Sequence, residues 1–525
     1  MSVEHRTGTS ELNVPDTKDK ASAAEQPQRT FPHTLTILLI VTVLVWVAAL
    51  FIPAGEYQLD EDGRPIAGSY TQVESPLTFP ERVSDLLLAP INGLYGVQDA
   101  ETGHIGPFNN GDLFGAAQVF VFILTIGGFM TVVFATGALD LGIAHLAHRF
   151  RARGTALIVT LSVLFALLGS VMSWSDETLG MYPLLIPLML ALGYDRMVAL
   201  AVIFVAPSAG IIGSTVNPFK IGIGSDAAAI SLGDGIGLRL VLLVLATAAA
   251  ILYTVRYANR VKADPSTSLV GITEADAELA RQGARDDLEP LSLRHKLVIG
   301  IVAFTFLLLT FSIVPWGSIL HNTLVDPKTH ETITEAFPWE LGWWLPELSV
   351  MFCVMAIVVA VVARLGEPAA ARAFVKGLVD FTGPAILVAV ARGVAVILNN
   401  TQSIDTVLYS MERVVEGTSN VIFVTGLSLV TVPLSFLVGH ASAANALIMP
   451  IFAPLGDFAG IDRSLIVTVY NAIGAWFGNV LPTNAILMAG LGLASVGFNK
   501  YVKFMLPLLG IWLVIMLIVF VIAAI

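Results

Sequence analysis

Residues 170–219 read SVMSWSDETLGMYPLLIPLMLALGYDRMVALAVIFVAPSAGIIGSTVNPF, an apolar stretch of membrane type that is interrupted twice by polar groups. Asp176 and Glu177 lie in its first half, and the sequence Gly-Ser-Thr-Val-Asn-Pro follows at residues 213–218. Both features cost several kcal/mol in hydrocarbon unless they line a cavity that the protein encloses. The stretch therefore predicts a binding site within a membrane protein.

The composition of the whole chain agrees with that class. The 525 residues are 55% hydrophobic and only 13% charged, against about 25% charged in an ordinary soluble protein. Apolar runs of about 20 residues recur, each long enough to cross about 30 Å of hydrocarbon. We expect an all-α polytopic membrane protein that folds as one bundle. The net charge of −12 and the lack of a basic stripe argue against a nucleic-acid partner.

The distribution of charge predicts the topology. Residues 1–30 are polar and predict a disordered cytoplasmic tail, and the first apolar run is too long for a signal peptide. The loop that follows is acidic, whereas Arg149, Arg151 and Arg153 follow the next span. Because basic residues stay on the cytoplasmic side, the N-terminus is expected inside.

When basic residues are placed on the cytoplasmic side, two segments with polar tips start and end on the same side of the membrane. This predicts two re-entrant hairpins. For the first segment, two ordinary spans remain the alternative. About nine transmembrane helices complete the bundle. The predicted divisions are a first repeat at 31–257 with a hairpin at 155–192 and a broken helix at 197–223, a cytoplasmic connector at 258–296, a linking transmembrane helix at 297–317, and a second repeat at 346–525 with a hairpin at 420–460 and a broken helix at 464–491.

An internal repeat supports this division. A shift of 267 residues pairs Pro183 with Pro450 and Asn217 with Asn484, and it also pairs the Gly-x-Asp-Arg sequences at 193–196 and 460–463. The two copies lie on opposite sides in the predicted topology. Such an inverted repeat is the construction of many secondary transporters.

The predicted helix breaks are candidate binding elements. A proline removes a backbone donor and disfavours helix at the residue before it, so backbone groups are released for a ligand. Half-helix ends can hold an anionic group, and loose carbonyls can hold a cation such as Na⁺ near Asn217 and Asn484. A simple proline kink is the alternative. The side chains assigned to these breaks are Ser214, Thr215, Asn217, Thr483 and Asn484.

The hairpin tips supply a second set of candidates. Asp176 and Glu177 suit an ammonium group, a guanidinium group, Na⁺ or a proton, although either could instead cap a helix. His440, Ser442 and Asn445 occupy the other tip, where His440 could titrate or only donate a hydrogen bond.

Two cations could also contribute. Arg392 lies inside an apolar span and Lys220 follows the first break, so each could bind a substrate carboxylate or balance a buried acid such as Asp380 or Glu177. The spans contain no zinc motif, nucleophile elbow or P-loop. We therefore expect neither an enzyme nor a cofactor other than a coupling Na⁺ or H⁺.

Five motifs resemble one known family. They are FPHTLTILL (31–39), FIPAGEY (51–57), SDETLGMYPLLIPLMLALGYD (175–195), STVNPF (214–219) and MPIFAPLGDFAGIDR (449–463). Together they resemble the YfcC-like, ArcD-like branch of the anaerobic C4-dicarboxylate carrier family, within the ion transporter superfamily. The resemblance covers most of the chain from Phe31 onward.

The resemblance implies the fold shared with p-aminobenzoyl-glutamate transporters and divalent-anion sodium symporters. In that fold two hairpins and two broken helices move as an elevator against a scaffold that forms a homodimer, in the bacterial inner membrane. It implies a secondary active transporter, an antiporter or an ion-coupled symporter, of amino acids and in particular basic amino acids. The alternative is a carrier of C4-dicarboxylates or other small carboxylates.

Overall fold

The computed structural model describes residues 34–60, 64–150, 153–283, 289–320, 322–325, 332–415, 417–437, 442–482 and 484–525, and most of these are helical. The α-helices are α1 Thr34–Ala49, α2 Phe79–Tyr95, α3 Ala117–Ala135, α4 Ala138–Arg149, α5 Gly154–Met172, α6 Tyr182–Ala191, α7 Arg196–Leu200, α8 Ala206–Ile212, α9 Ile223–Ala227, α10 Ile236–Ala263, α11 Glu274–Gly283, α12 Leu293–Ile313, α13 Trp316–Ile319, α14 Leu345–Ala363, α15 Glu367–Asn400, α16 Ile404–Val415, α17 Asn420–Leu437, α18 Ser442–Phe458, α19 Arg463–Gly478, α20 Ala485–Ala494 and α21 Phe498–Ala524. Short 3-10 helices cover Asp176–Met181 and Pro265–Thr267, and π-helical turns cover Ala201–Val205 and Pro218–Gly222.

Short antiparallel strands add to the helical architecture that the sequence predicts. They are β1 Gly55–Glu56, β2 Thr71–Gln72, β3 Val97–Asp99, β4 Ile105–Gly106, β5 Gly111–Leu113, β6 Thr323–Val325 and β7 Thr332–Thr334. β1 pairs with β2, β3 lies between β4 and β5, and β6 pairs with β7. All of them fall in segments that connect apolar helices.

Seven helices of the described chain are long and apolar enough to cross a bilayer unaided: α3, α5, α10, α12, α14, α15 and α21. They confirm a polytopic membrane protein. The apolar span that contains Arg392 belongs to α15, which begins at Glu367. The basic residues Arg372 and Lys376 mark the flank of the apolar run, but they do not interrupt the helix.

Helix α15 forms the centre of a scaffold with α1, α2, α3 and α14, because it packs against α3 along much of its length. Small residues allow the close approach. A Cβ at Gly377 would lie 2.3 Å from the carbonyl oxygen of Gly127, and a Cβ at Gly127 would lie 2.4 Å from the ring of Phe381. Helices within membranes use such glycines to bring their backbones together. The contact holds the middle of α15 in a fixed position.

Residues 54–111, which the sequence predicts as a loop, contain the helix α2. Its 17 residues include Pro80 and Pro90, so no apolar run of membrane length marks it. A Cβ at Gly93 of α2 would lie 2.2 Å from the carbonyl oxygen of Ala389, so α2 packs closely on α15. The amphipathic helix α16 also lies outside the predicted spans, and its Glu412 accepts a 2.5 Å hydrogen bond from the Tyr57 hydroxyl.

The two copies of the predicted repeat carry the same sequence of elements. In the first, α5 and α6 are followed by the broken helix α7–α9 and by α10; in the second, α17 and α18 are followed by α19, α20 and α21. The helices after the two breaks are exchanged: α9 packs against α18, and α20 packs against α6. α10 and α21 pack against each other. The two copies therefore share one interior.

The shift of 267 residues also relates their local structure. Gly193 and Gly460 both adopt left-handed backbone angles, with φ of +82° and +67°. The next acids cap the broken helices, since Asp195 accepts from the Val198 N–H and Asp462 from the Ser464 N–H.

Candidate functional site

The first break comprises residues 213–217, between α8 and the π-helical turn at Pro218. Asn217 is fully buried and caps that turn, because its Oδ1 accepts a 3.1 Å hydrogen bond from the Phe219 N–H. Its Nδ2 donates to Ser173 Oγ at 2.6 Å and to Ser214 Oγ at 3.3 Å. Pro218 occupies the first position of the turn, where its missing N–H leaves no gap in the hydrogen bonding.

The end of α5 holds this break in place. The Oγ of Ser170 donates to the Gly213 carbonyl at 2.9 Å and accepts from the Thr215 N–H at 3.1 Å. α5 then ends at Ser173, which has a left-handed φ of +54°. The residues that follow, 173–177, form the first tip, which is thereby linked to the first break.

The second break lies between the end of α19 at Gly478 and the start of α20 at Ala485. Asn484 caps α20, since its Oδ1 accepts from the N–H groups of Ile486 and Leu487 at 3.1 and 3.2 Å. Its Nδ2 donates to the Gly478 carbonyl at 3.1 Å, and the Tyr501 hydroxyl donates to the Asn479 carbonyl at the same distance. The Oδ1 of Asn479 is buried and accepts no hydrogen bond from the described residues.

A cavity of about 460 Å³ lies between the two breaks, and we call it the central cavity. Both repeats and the scaffold helix α15 contribute to it. Its lining residues are Met172, Ser173, Ser175, Glu177, Phe204, Ser208, Ile211, Phe219, Lys220, Phe381, Pro384, Leu387, Ala443, Ala475, Gly478, Asn479, Leu481, Asn484 and Ile486. The volume suits one small organic molecule.

Two charged side chains of opposite sign line this cavity. Glu177 is the last residue of the first tip and belongs to the 3-10 helix Asp176–Met181, and its Oε2 accepts from the Ser175 N–H at 3.3 Å. Lys220 follows the first break and is only 8% exposed. The polar groups of Ser173, Asn479 and Asn484 complete the set. A ligand here could therefore meet an anion, a cation and several neutral hydrogen-bonding groups.

The structure places four predicted residues behind the cavity wall, and the buried cap residue Asn217 is one of them. Ser214 and Thr215 are buried within the first break, where their hydroxyls bond to neighbouring residues. Asn445 is also buried and exchanges two hydrogen bonds with Asn471, at 3.1 and 2.9 Å. These residues fix the backbone that the cavity depends on, and none of them is part of its lining.

Arg392 also lies outside the cavity lining. Its Nε donates to the Phe114 carbonyl at 3.0 Å, and its guanidinium lies 4.6 Å from the centre of the Phe114 ring. Its Nη1 is 4.0 Å from Asp226 Oδ2. The acid that it balances is thus Asp226, where the sequence pointed to Asp380 or Glu177.

His440 and Thr483 lie outside the described residues, as do the side chains of Asp176 and Ser442. The described residues contain no cluster of His, Cys, Asp and Glu suited to a metal ion.

Sequence reasoning missed several lining residues. Phe204, Ser208 and Ile211 are separated by four and three residues, so they lie on one face of a helix. This spacing could have predicted that they line the cavity together. Phe381 and Pro384 of α15 carry no comparable signal. Phe381 reaches the cavity because α15 packs tightly on α3, and its ring lies 5.6 Å from that of Phe219.

Comparison with known proteins agrees with a transporter. The chain is 32% identical over 405 residues to an uncharacterized protein of Haemophilus influenzae, covering 76% of this chain and 74% of that protein. It is 29% identical over 504 residues to the Escherichia coli protein named "Putative basic amino acid antiporter YfcC", covering 91% and 94%.

A solved structure shares the fold. The crystal structure of the YdaH transporter of Alcanivorax borkumensis, described as having an unusual topology, superposes with a TM-score of 0.65 at 17% identity and covers 94% of this chain and 98% of that one. The family described as C4-dicarboxylate anaerobic carrier, DcuC, matches residues 31–525. This chain therefore belongs to the DcuC family of membrane transporters.

Proposed function

We propose that this protein is a secondary active transporter of amino acids. The observation that carries the proposal is the presence of Glu177 and Lys220 in the lining of one cavity. An amino acid is a zwitterion, so Glu177 would bind its ammonium group and Lys220 its carboxylate. The neutral side chains of Asn479 and Asn484 would accept and donate the remaining hydrogen bonds. Fixed opposite charges that are already in place favour such a ligand because little reorganisation is needed on binding.

Basic amino acids are the preferred class within this proposal. Asp176 precedes Glu177 in the sequence, and in this proposal its carboxylate would pair with a cationic side chain of the substrate. The name of the E. coli relative gives the same class of substrate for that protein. A carboxylate pair would also disfavour acidic amino acids through like-charge repulsion.

A C4-dicarboxylate or another small carboxylate is the alternative substrate, and the description of the family favours it. Lys220 and the amide groups of Asn479 and Asn484 could bind one carboxylate of such a ligand. The second carboxylate would then meet Glu177, which would have to be protonated. The amino acid is preferred because it needs no such change.

We propose the transport topology on the same basis: about nine transmembrane helices, two re-entrant hairpins, inverted repeats and elevator-type movement. The exchanged packing of α9 with α18 and of α20 with α6 supports the joint motion of both repeats. Basic residues near the ends of α4, α10, α12 and α21 support a common cytoplasmic side and a cytoplasmic N-terminus. The bacterial inner membrane and a homodimer formed through the scaffold are part of this proposal.

The coupling ion is proposed to be Na⁺ or H⁺. A Na⁺ ion near Asn217 and Asn484 would have to use backbone carbonyls of the breaks, because the Oδ1 atoms of both asparagines already accept hydrogen bonds from helix N–H groups. Glu177 is the alternative acceptor, for a proton.

A counterflow screen in proteoliposomes tests the proposal. Vesicles loaded with unlabelled L-arginine, L-lysine, L-alanine, succinate or fumarate would be diluted into the corresponding labelled solute, with sodium and pH varied. We expect saturable counterflow of basic amino acids and little of the dicarboxylates. Faster counterflow of succinate would favour the alternative. A conductance that does not saturate, or chemical conversion of the solute, would contradict a carrier.

A further inference from the structure

A second cavity, of about 610 Å³, borders the same hairpin. It is an open cavity, lined by the end of α3, the start of α4 and residues 174–184. Its lining residues are Phe134, Asp140, Leu141, Ala144, Trp174, Glu177, Gly180, Met181 and Leu184. Glu177 is the residue that this list shares with the lining of the central cavity. One carboxylate therefore borders two separate spaces.

Asp140 supplies a second carboxylate to this cavity. It lies in the first turn of α4, and this helix begins directly after Gly137. The left-handed φ of +65° at Gly137 turns the chain away from α3. Burial raises the pKa of Asp140 above its ordinary value. The side chain is nevertheless exposed to solvent, and a raised pKa makes a carboxyl group easier to protonate. Asp140 and Glu177 are the ionisable groups among the described lining residues.

The indole of Trp174 provides an independent observation. Trp174 is 1% exposed and borders the second cavity, and its Nε1–H has no hydrogen-bond partner among the described residues. An orphaned buried donor costs about 1–3 kcal/mol. Water in the adjoining cavity would satisfy the donor. The cavity is thus suited to hold water next to both carboxylates.

Other charged groups lie in the last turns of α4 and in the first turn of its neighbour α12. α4 carries His145, His148 and Arg149, and α12 begins with Arg294, His295 and Lys296. α3, which also packs on α4, carries none. A Cβ at Gly142 would meet Ile299 of α12 at 2.7 Å, so α4 packs on the first turns of α12, which carry these basic residues. Asp140 itself is exposed, so it lies where the second cavity meets solvent.

We propose that Asp140 and Glu177 form the path of a coupling proton, which enters through the second cavity and reaches the substrate site at Glu177. A hydronium ion would give its proton to Asp140, and water would relay it to Glu177. Binding of a substrate ammonium group at Glu177 would release that proton to the side on which the substrate binds, and departure of the substrate on the other side would let Glu177 take up a proton there. One positive charge thus replaces another at a single carboxylate, and the competition couples substrate movement to proton movement in the opposite direction.

The chemistry of the lining favours a proton over a metal cation. Hard cations in proteins usually take six or more oxygen ligands. The described lining offers two carboxylates, and its other side chains are apolar apart from the Trp174 indole, which is a donor. A proton needs one carboxylate oxygen and adjoining water.

This inference rests on the proposed role of Glu177 in substrate binding, and its test separates the two. Purified Asp140→Asn, Asp140→Glu and Glu177→Gln proteins would be reconstituted into vesicles that contain the pH indicator pyranine. Two rates would be measured for each protein: proton flux driven by an L-arginine gradient, and L-arginine counterflow. We expect Asp140→Asn to lower proton flux at least tenfold and counterflow less than threefold, because exchange of substrate needs no net proton release. Asp140→Glu should restore most of the flux. Glu278→Gln, an exposed change in the connector helix, serves as the control.

Two results would overturn the inference: proton flux that is unchanged in Asp140→Asn, or flux and counterflow that fall by the same factor. Full L-arginine counterflow in Glu177→Gln would instead refute the proposed substrate site.

A measurement without substrate tests the cavity itself. In a Cys353→Ser background, Gly180→Cys should react with a water-soluble maleimide at least tenfold faster than Ala199→Cys, because a Cβ at Gly180 meets no atom within 4 Å whereas Ala199 is fully buried. Equal rates would show that water does not reach the path.

Discussion

The two helix breaks use one backbone solution but carry different chemistry. Asn217 and Asn484, 267 residues apart, each cap the helix after a break with a side-chain oxygen. The residues that correspond to Glu177 and Lys220 in the second repeat are Ala444 and Leu487. Both charges that line the central cavity therefore come from the first repeat. The second repeat contributes neutral groups, among them Asn479 and Asn484.

The supports of the two breaks differ as well. Ser170 ties the first break to the end of α5, whereas the Tyr501 hydroxyl supports the second from α21. A half-helix end needs a cap wherever it occurs, because its first N–H groups have no partner within the helix. The cavity needs only one charge of each sign. Symmetry of the backbone and asymmetry of the charges thus follow from separate physical requirements.

The largest effect is expected from Glu177→Gln, which removes the negative charge of the first repeat. Loss of a charge partner for an ammonium group costs at least about 2 kcal/mol, or about thirtyfold in affinity. Counterflow of L-arginine should fall by that factor or more, while the melting temperature changes little. Glu278→Gln is the matched control. Unchanged uptake would show that Glu177 is not part of the substrate site. It would also show that the difference in charge between the two repeats plays no part in the mechanism.

Asn217→Ala and Asn484→Ala compare the two caps directly. Loss of a cap costs about 1 kcal/mol, and Asn217 also loses its buried hydrogen bond to Ser173, worth about 1 kcal/mol more. We expect the free energy of unfolding to fall by about 2 kcal/mol for Asn217→Ala and by about 1 kcal/mol for Asn484→Ala. Both variants should show a smaller thermal shift with L-arginine than the parent protein. If neither shift changes, the site does not lie between the breaks.

Lys220→Gln tests the positive charge that the second repeat lacks. An ionic hydrogen bond to a carboxylate contributes about 1.4 kcal/mol more than a neutral one, so affinity for L-arginine should fall about tenfold. Equilibrium binding to purified protein measures this, with the exposed Lys376→Gln as control. The double variant with Glu177→Gln shows whether the two charges act together, because independent sites give additive losses. Affinity equal to that of the parent protein would assign Lys220 a role only in charge balance.

The smallest effect is expected at Arg196 and Arg463, the equivalent arginines at the start of the two broken helices. Arg463 bonds Asp457 of its own repeat at 2.6 Å, whereas Arg196 pairs with Asp276 of the connector helix α11. Arg196→Gln should cost about 1 kcal/mol or less and expose α11 to limited proteolysis, and Arg463→Gln should leave α11 protected. Equal cleavage rates in both variants would contradict this division.

The same ion pair gives a pH dependence. Burial acts to raise the pKa of Asp276, but hydrogen bonds from Thr273 and Arg196 outweigh it and lower the pKa below its ordinary value. The carboxylate therefore stabilises the docked connector at neutral pH, and this contribution is lost only as the pH falls through the lowered pKa. Proteolysis of α11 should accordingly increase only in acid. Cleavage that increases between pH 8 and 6 would contradict the assignment.

Particular elements show how far the sequence could lead. The breaks, the caps at Asp195 and Asp462 and the connector helix at Glu274–Gly283 follow from local signals, namely proline, capping side chains and apolar period. α2 was missed because its apolar run is short and contains two prolines. Arg392 could not be placed, because its partners Phe114 and Asp226 lie 278 and 166 residues away in sequence.

The sequence by itself determined the membrane class, the repeat and the positions of the breaks, because bilayer thickness and backbone hydrogen bonding act on local patterns of residues. Only the tertiary structure decided which polar groups reach the central cavity. Asn445 and Ser214 turn into the packed protein, while Ser208, Phe381 and Pro384 line the space. The direction of a side chain depends on how distant helices pack, as the glycine contacts between α3 and α15 show, and no local pattern encodes that packing.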